Sequence, residues 1–472
     1  MKTMKQISKI FITILIVVTS INPGIANNQK ESFEKLYKLK STGKFTFSCY
    51  DTDLKINTWK NDEVKLLGEI IIEGGNKEDQ EQLIQVFKNP EVSQSSNSLK
   101  IETDMATKTV SIGFLKKITL VNGKSIKIDN YKVKYTLWIP ESVAFNLRSK
   151  YNTIEIAALK GNINFNLYDV NLTLVSFGTG VFDMKYSSVD IEKGKTAKFD
   201  VYNCKINVND IITFSANSKY SEFNINNVES ISTTSYNDKF RMKNLTKLLI
   251  GQAKYSYFEN EGNFEELKID VYNSDIKAKN INKITYSAKY SNLQAQDVNT
   301  LEVSDIYNTD IKLGAVESFS CDESKYDNIR FTSIGKSINM GNVYTSKLNF
   351  GTTGPKFENF SGEFKYGSVN LKLDENIDFK ISYKTTYGSV KFPIERIKIK
   401  ESDIIENNNH LYEGSTSENT KCKFEFNAYS TAFNFTNSIN NKVKQKEENN
   451  KVERPARPKR PARTERTDRV TK

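Results

Sequence analysis

The chain carries a recurring triplet in which an apolar residue, a polar residue and a second apolar residue follow one another. Ile154 and Ile156 bracket one copy, and Val189 and Ile191 bracket another. Side chains alternate between the two faces of a strand, so each triplet predicts a short strand with one face buried. The first apolar residue advances by 17 to 21 residues from copy to copy, at Ile154, Leu172, Val189, Ile206, Phe223, Phe240, Phe258, Ile276, Leu293, Ile311, Ile329, Leu348, Val369 and Val390.

A tyrosine precedes each of these strands by three or four residues. The residue after each tyrosine is Asn, Asp, Ser, Thr or Gly, the residue types that favour turns. Self-similarity at a short, nearly constant period indicates a solenoid. We therefore predict an all-β fold, a single-stranded parallel β-solenoid (β-helix) of about fourteen coils of 17–18 residues. The tyrosines are Tyr151, Tyr168, Tyr186, Tyr202, Tyr220, Tyr236, Tyr255, Tyr272, Tyr290, Tyr307, Tyr326, Tyr344, Tyr366 and Tyr387.

Two kinds of corner alternate along this series. Where the tyrosine lies three residues before the strand, a lysine precedes it in every case except Tyr387. The result is a longer period near 35 residues. Either 18-residue coils alternate between two corner types, which we favour, or one 35-residue coil has two similar halves. The lysines are Lys150, Lys185, Lys219, Lys254, Lys289, Lys325 and Lys365.

The first residues are typical of a secretory signal. Three lysines within the first nine residues precede an apolar run over 10–18, and Pro23 and Gly24 follow it. The run is shorter than the ~20 apolar residues that a membrane-spanning helix needs. We expect a signal peptide that is cleaved after Ala26, and export to the periplasm, the cell surface or the medium.

The remaining chain divides by composition and periodicity. A β-rich N-terminal region that caps the solenoid is expected first, and strands near the C-terminus are expected to cover the other end, because exposed terminal coils offer unpaired backbone groups to other chains. The last residues have no apolar pattern, which indicates disorder. The predicted segments are 1–26 (signal peptide), 27–148 (cap), 149–395 (solenoid), 396–440 (C-terminal cap) and 441–472 (basic tail).

The net charge of +11 is concentrated at the two termini. Residues 441–472 hold twelve Lys and Arg against five Asp and Glu, a net of +7, and the signal adds +3, so 11 − 7 − 3 leaves about +1 for the body. A nearly neutral body does not favour a nucleic-acid partner. The basic tail is either a disordered appendage or a contact to the anionic envelope.

Side chains typical of catalytic and metal sites are scarce. His410 is the single histidine and lies in a polar stretch, so we expect a loop residue without a catalytic role. Cys49, Cys204, Cys321 and Cys422 lie at least a hundred residues apart, without metal-ligand spacing, and are expected to be buried and unpaired. Glycine-rich phosphate loops are missing from the sequence. No cofactor or metal is predicted.

The enzymatic alternative is a polysaccharide lyase or hydrolase on a β-helix scaffold, which needs clustered carboxylates on an outer face. The outward positions of the strands carry mixed charges and many amides, as a solvated face does. Asp275 and Asp310 are the best candidate pair, for calcium binding or catalysis. With 18-residue coils they lie two coils apart.

The tyrosines have two interpretations. A residue that recurs beside a turn in every coil packs on its neighbours above and below, which is a structural role. A row of aromatic rings can also form a platform for sugars. The structural interpretation is favoured, and the regular markers of the longer period are Tyr151, Tyr186, Tyr220, Tyr255, Tyr290, Tyr326 and Tyr366.

Two stretches and the repeated corners carry a resemblance to a known family. "INTWKNDEVKLLGEIIIEG" over 56–74 and "YTLWIPESVAFNLRSKYNTIEI" over 135–156, with repeated Tyr-small-x-apolar corners, resemble the bacterial putative-adhesin family of exported β-helix domains of unknown function. The likeness covers roughly residues 40–395. Family members often have glycine after the corner residue, which only Gly367 and Gly388 retain here. The resemblance implies a right-handed parallel β-helix at the cell envelope.

Together these patterns predict a non-enzymatic protein of the cell envelope or surface, an adhesin-like β-helix. Its long face is expected to interact with an envelope polysaccharide or a surface protein. The alternatives are the carbohydrate-active enzyme and a purely structural envelope spacer. The sequence contains no information on the identity of a ligand.

Overall fold

A computed structural model describes residues 28–112 and 115–438 of the chain. The predicted signal peptide (1–26) and basic tail (441–472) lie outside the described residues. The structure is 73% strand and 4% helix, and its stacked parallel strands form a β-solenoid of about 13 turns. The predicted fold class is confirmed. Among the described residues, no helix is both long enough and apolar enough to cross a membrane.

Residues 144–373 form the consecutive coils, which stack in the order of the chain. Asn171 lies opposite Ser188, and Ser188 lies opposite Lys205, so each coil contains one tyrosine corner and the 35-residue alternative is wrong. The strands are β11 (Ala144–Lys150), β12 (Thr153–Ile156), β13 (Ile163–Tyr168), β14 (Asn171–Lys185), β15 (Ser188–Tyr202), β16 (Lys205–Lys219), β17 (Glu222–Tyr236), β18 (Lys239–Lys254), β19 (Tyr257–Asn260), β20 (Phe264–Tyr272), β21 (Asp275–Lys277), β22 (Asn280–Lys289), β23 (Asn292–Ala295), β24 (Asp297–Tyr307), β25 (Asp310–Lys325), β26 (Asn328–Tyr344), β27 (Lys347–Thr353), β28 (Asn359–Lys365) and β29 (Ser368–Leu373).

Apolar side chains at alternating strand positions fill the interior of the coils, as the triplets predict. Phe182, Phe199 and Phe214 stack on one another from coil to coil, with ring centroids 4.6 and 4.9 Å apart. All three side chains are fully buried. Burial of a side chain of this size stabilises the fold by about 1.5–3 kcal/mol, so each coil contributes its own share of the core.

The residues before 144 contain a coil that is out of sequence order, formed by β2 and β3. β2 pairs with β6 and β11, and β3 pairs with β10 and β12, all in parallel. The elements are β1 (Gln29–Lys38), β2 (Lys44–Tyr50), β3 (Asp53–Trp59), β4 (Glu63–Glu73), α1 (Lys77–Lys88), β5 (Glu91–Gln94), β6 (Ser98–Glu102), β7 (Ala106–Ile112), β8 (Leu115–Leu120), β9 (Ser125–Ile128) and β10 (Asn130–Pro140).

Antiparallel strands and one helix cover this end. β4 pairs antiparallel with both β10 and β1. Helix α1 begins at an N-cap, where the Asn76 side chain accepts a hydrogen bond from the Asp79 amide, and it buries Leu83, Ile84 and Phe87. The cap thus covers the terminal strands, whose free edges would otherwise be open to pairing with other chains.

The C-terminal end also contains a coil out of sequence order. The triplets at Val369 and Val390 are successive copies in the sequence, but another coil lies between theirs in the stack. Strand β34 (Cys422–Tyr429) lies between β28 and β30 (Phe379–Thr386), and β35 (Ala432–Asn437) lies between β29 and β31 (Ser389–Lys391). β33 then pairs antiparallel with β30 and β32. The elements are β30 (Phe379–Thr386), β31 (Ser389–Lys391), a short 3₁₀ helix (Ile394–Arg396), β32 (Ile399–Glu406), β33 (Asn409–Ser415), β34 (Cys422–Tyr429) and β35 (Ala432–Asn437).

The cysteines are structural, as expected. Cys49, Cys204, Cys321 and Cys422 are all buried and unpaired. Burial raises the pKa of the Cys49 thiol to about 11 and that of the Cys422 thiol to about 12, which keeps both protonated at neutral pH.

Candidate functional site

One corner of every coil turns through a residue in the left-handed backbone conformation. In alternate coils this residue is the tyrosine itself, with φ between 55° and 63°. In the coils between, the tyrosine ends the preceding strand and the next residue takes the left-handed position, with Asp169, Asn203 and Asn237 as examples. The left-handed tyrosines are Tyr151, Tyr186, Tyr220, Tyr255, Tyr290, Tyr326, Tyr366 and Tyr387.

The tyrosines of successive coils form one continuous column, which we call the tyrosine ladder. Each ring contacts the next edge to face, with centroids 5.3–5.8 Å apart. The order along the stack is Tyr50, Tyr151, Tyr168, Tyr186, Tyr202, Tyr220, Tyr236, Tyr255, Tyr272, Tyr290, Tyr307, Tyr326, Tyr344, Tyr366, Tyr429 and Tyr387.

A left-handed tyrosine is a costly choice for this corner. The left-handed conformation costs an L-residue about 1–2 kcal/mol, and asparagine and aspartate adopt it more readily than a bulky residue does. Six of the alternate coils use such residues, whereas Thr345 and Ser430 occupy the position in the other two. Part of the cost is offset by edge-to-face ring contacts, worth about 0.5–1.5 kcal/mol each. Retained strain of this kind marks positions where the side chain itself is required.

Behind the corner lies a column of small buried residues, which we call the inner ladder. Most of these side chains accept a hydrogen bond from the backbone amide of the same position in the neighbouring coil. The Ser274 hydroxyl, for instance, accepts from the Ser256 amide at 3.1 Å and donates to the Tyr272 carbonyl at 3.0 Å. The members, in the order of the stack, are Thr52, Asn152, Val170, Ser187, Cys204, Ser221, Asp238, Ser256, Ser274, Ser291, Thr309, Asp327, Ser346, Gly367, Thr431 and Gly388, of which the two glycines are only partly buried.

Because the inner ladder is small, a groove runs along the corner, which we call the polar groove. It has a volume of about 710 Å³. One wall is the left-handed column, in which Tyr186, Tyr220 and Tyr255 alternate with asparagines, and the inner ladder forms the floor. The tyrosines that end strands do not line it. The left-handed rings are also the more exposed class, with Tyr220 45% exposed against 37% for Tyr236.

The asparagines of this wall differ from the other asparagines of the solenoid. Along the strand faces, asparagine amides bond to the neighbouring coil, as Asn224 does to Asn207 at 2.9 Å. Asn203, Asn237 and Asn273 are exposed in the polar groove, and their side-chain amides form no hydrogen bond to any described residue. Their donors and acceptors are therefore available to a ligand.

The opposite wall of the polar groove carries charges of both signs. Lys205, Glu222, Lys239 and Asp275 alternate along it and sum to zero. Glu222 forms an ion pair with Arg241 on the neighbouring coil. With the Asp238 carboxyl group in the floor, the groove thus has interspersed positive and negative groups.

The structure does not bring Asp275 and Asp310 into contact. Asn292 lies between them in the stack and donates a 2.6 Å hydrogen bond to Asp275. Arg330 forms a 2.8 Å ion pair with Asp310. Among the described residues, no group of three or more His, Cys, Asp or Glu side chains is placed to hold a metal ion. The pair therefore lacks the shared position that a calcium site or a carboxylate dyad needs.

His410 lies in strand β33, so the expected loop position is wrong. Pairing with β30 places its ring 3.2 Å from the Tyr383 hydroxyl, and its Nε2 lies 2.9 Å from Asp403. Hydrogen bonds from Lys400 and from His410 lower the pKa of the Asp403 carboxyl. The cluster ties the antiparallel strands of the C-terminal end together.

Two buried carboxyl groups in the inner ladder were missed by the sequence reasoning. Asp238 accepts hydrogen bonds from the hydroxyls of Ser218 at 2.6 Å and Ser235 at 2.7 Å. Burial raises the pKa of Asp238, and it raises that of Asp327 to about 6 against the opposing effect of the Ser324 hydroxyl. The signal was present in the repeat, since serine is the most frequent residue at this position.

A second groove, of about 810 Å³, follows the opposite corner of the coils and is more apolar. Phe177, Ile211, Val228 and Leu245 form one column along it. Gly194 belongs to the same column, and a Cβ there would lie 2.6 Å from the Phe177 ring, so only glycine lets that ring lie beneath it. Polar groups that could orient a ligand are denser in the polar groove.

Comparison with known proteins gives only distant similarities. No family model matches the chain. Autophagy-related protein 2 from Pichia angusta is 30% identical over 167 residues, which is 33% of this chain, and the chain spans only 9% of the length of that protein. A solved structure described as a putative cell adhesion protein, from Clostridium sporogenes, aligns with 87% of this chain and 100% of its own, at 12% identity and a TM-score of 0.16.

Proposed function

We propose that the protein is a non-enzymatic, adhesin-like protein of the cell envelope or surface that binds an extended polymer along its length. The observation that carries this proposal is the polar groove, in which left-handed tyrosines alternate with unpaired asparagine amides from one coil to the next. A site that repeats along a solenoid suits a ligand that itself repeats. A compact ligand would need only one such position.

Export and envelope location belong to the same proposal, and the predicted signal peptide and the resemblance to the putative-adhesin family support them. The basic tail is proposed to add electrostatic contact with anionic envelope components. The carbohydrate-active enzyme remains an alternative, but no arrangement of carboxylates described above favours it.

The proposal is tested by cosedimentation of the chain without residues 1–26 with insoluble bacterial envelope. The key variant replaces Tyr186, Tyr220 and Tyr255 by asparagine. Asparagine already occupies the same left-handed position in the intervening coils, so the corner can keep its conformation. We expect at least a tenfold loss of bound protein, because the aromatic wall of the polar groove is removed.

The matched control replaces Tyr202, Tyr236 and Tyr272 by threonine. These three rings belong to the same tyrosine ladder but do not line the polar groove, and Thr386 occupies the same strand-end position in β30. The control should bind as the unmodified protein does. Equal binding by both triple variants would overturn the proposal.

A further inference from the structure

The polar groove repeats every two coils and not every coil. Tyr186, Tyr220 and Tyr255 are separated by Asn203 and Asn237 in the left-handed column. At ~4.8 Å per parallel strand, two coils measure ~9.6 Å. Any ligand that follows the groove therefore meets the same pair of contacts, one aromatic ring and one amide, at that interval.

A β-(1→4)-linked pyranose chain has a matching symmetry. Successive sugar rings are flipped relative to one another, so the extended chain repeats by the disaccharide, and the length of this repeat is close to that of two coils. Within each disaccharide one ring can lie against a tyrosine, while hydroxyl or acetamido groups of the other can hydrogen-bond to an asparagine amide. A polypeptide strand, with its shorter period, does not fit the alternation.

The charges of the polar groove decide which glycan it suits. Lys205 and Lys239 alternate with the carboxylates of Glu222 and Asp275 along the charged wall, and Asp238 adds a carboxyl group in the floor. A polyuronate or a sulfated glycan would place one negative charge after another along a wall that also carries carboxylates. A neutral glycan meets no such repulsion.

We infer that the polar groove is a binding site for a neutral, β-(1→4)-linked glycan that lies parallel to the solenoid axis, with one disaccharide for every two coils. The inference rests on the proposed function and names its ligand class. Six left-handed positions from Tyr186 to Asn273 line the groove, which gives room for three disaccharide units.

Isothermal titration calorimetry with purified protein tests the inference. The probes are cello- and chito-oligosaccharides of two to eight sugars, with oligogalacturonate as the anionic comparison. We expect affinity for at least one neutral series to rise up to the hexasaccharide and then to level off. The two neutral series distinguish a glucan ligand from an N-acetylglucosamine ligand.

Two variants test the assigned contacts. The triple change Asn203→Gly, Asn237→Gly and Asn273→Gly removes the free amides at positions where glycine adopts positive φ readily. It should weaken hexasaccharide binding at least tenfold, and the triple change of Tyr186, Tyr220 and Tyr255 to Asn should abolish it. The threonine variant of Tyr202, Tyr236 and Tyr272 should bind normally.

The possible failures are distinguishable. Binding of oligogalacturonate without binding of either neutral series overturns the inference and leaves the proposed function standing. Neutral oligosaccharides that bind the tyrosine variant unchanged also overturn it, because binding would then lie elsewhere. If neither the asparagine triple variant nor the threonine triple variant loses binding to the envelope, the proposed function is overturned, and the inference is overturned with it.

Discussion

The consecutive coils and the two ends of the solenoid are built by different rules. Between 144 and 373, each coil stacks on the coil that precedes it in the chain, and the sequence separation of paired residues is nearly constant through most of the stack. At the ends, β2 and β3 insert beside β11 and β12, and β34 and β35 insert beside β28 and β29. Tyr366 thus contacts Tyr429 and not Tyr387.

The tyrosine ladder keeps its alternation across both insertions. Tyr50 ends a strand and lies next to left-handed Tyr151, and Tyr429 ends a strand between left-handed Tyr366 and Tyr387. A simple tandem duplication explains alternation among consecutive coils but not among segments that are distant in the chain. The edge-to-face packing of the rings in the stack therefore requires the two classes to alternate.

The largest expected effect comes from replacing one buried phenylalanine in the C-terminal end and one in the consecutive coils, which tests whether the two regions unfold separately. Phe426 of β34 stacks on Phe433 at 4.2 Å, and Phe214 of β16 stacks on Phe199 at 4.9 Å. Both are buried, so substitution by alanine should cost about 3–5 kcal/mol in the free energy of unfolding. Hydrogen exchange should show that Phe426→Ala exposes the backbone of 379–437 first, because that end is joined by long chain segments.

Phe214→Ala is the matched control. Stability in a solenoid is passed between neighbouring coils, so its loss of protection should spread to both sides of β16 and leave the C-terminal end unchanged. Protection that falls uniformly along all coils in both variants would show that the two regions unfold as one unit. The difference in construction between the consecutive coils and the C-terminal end would then have no effect on stability.

The pattern of residues predicted the consecutive coils well because their order is local. Triplets such as that of Ile154 and Ile156 predict which face of the strand is buried, and the spacing between successive triplets predicts the length of a coil. The residues of β34 do not indicate its position in the stack, since their alternation of apolar and polar positions is the same as in any other coil. That order depends on closing a long chain segment, from β29 to β34, which costs only slightly more entropy than closing a short one.

The second prediction concerns the pH dependence of stability that arises from a buried carboxyl group, Asp327, in the inner ladder of the consecutive coils. Burial raises the pKa of Asp327 to about 6 from its ordinary value of 3.8, so the folded state binds a proton more tightly than the unfolded state. The free energy of unfolding should therefore decrease as pH rises from about 4 to about 6, by about 2–3 kcal/mol from this group.

Asp327→Ser should remove that part of the pH dependence and stabilise the protein above pH 6. Serine occupies the same inner-ladder position at Ser291 and Ser346, where it can accept the amide hydrogen bond without a buried charge. Urea unfolding at a series of pH values measures the effect. An unchanged pH profile in the variant would show that Asp327 does not titrate as described.

The third prediction compares the inner ladder in the middle with the inner ladder at the end. Ser274→Ala leaves the buried Ser256 amide without a partner and should cost about 1–3 kcal/mol. At the C-terminal end, the Thr431 hydroxyl lies 3.4 Å from the Gly367 amide, a longer contact. Thr431→Val should therefore cost less.

Thermal unfolding of the two variants checks this order, with exposed Ser232→Ala as the control that should change nothing. A larger loss from Thr431→Val than from Ser274→Ala would contradict the view that the consecutive coils hold the tighter ladder.

The sequence predicted only part of the candidate site. Seven of the left-handed tyrosines, Tyr220 among them, were identified as regular markers because each follows a lysine and lies three residues before the strand; Tyr387, which lacks the lysine, was not among them. The polar groove was not identified, because it depends on which tyrosines face the inner ladder. The free amides of Asn203 and Asn237 were also hidden, since a sequence does not show which asparagines bond to the next coil.

The smallest expected effect compares two left-handed tyrosines, one in the middle and one at the end of the tyrosine ladder. Tyr290 contacts two rings, Tyr272 and Tyr307, whereas Tyr387 contacts only Tyr429 within the ladder and is 60% exposed. Substitution by asparagine relieves about 1–2 kcal/mol of backbone strain in each case. It removes two ring contacts at Tyr290 but one at Tyr387, each worth about 0.5–1.5 kcal/mol.

The change in the free energy of unfolding for Tyr290→Asn should therefore lie between a gain of about 1 kcal/mol and a loss of about 2 kcal/mol. Tyr387→Asn should be the more favourable of the two by the value of one ring contact, about 0.5–1.5 kcal/mol. Chemical denaturation of both variants measures that difference directly. If Tyr387→Asn is the more destabilising, the strain is not balanced by ring contacts, and the tyrosines are held at the corner by some other interaction. The measured difference thus decides how much of the backbone strain at each left-handed tyrosine is offset by ring packing, and how much requires another reason, such as a ligand, for the tyrosine to be retained.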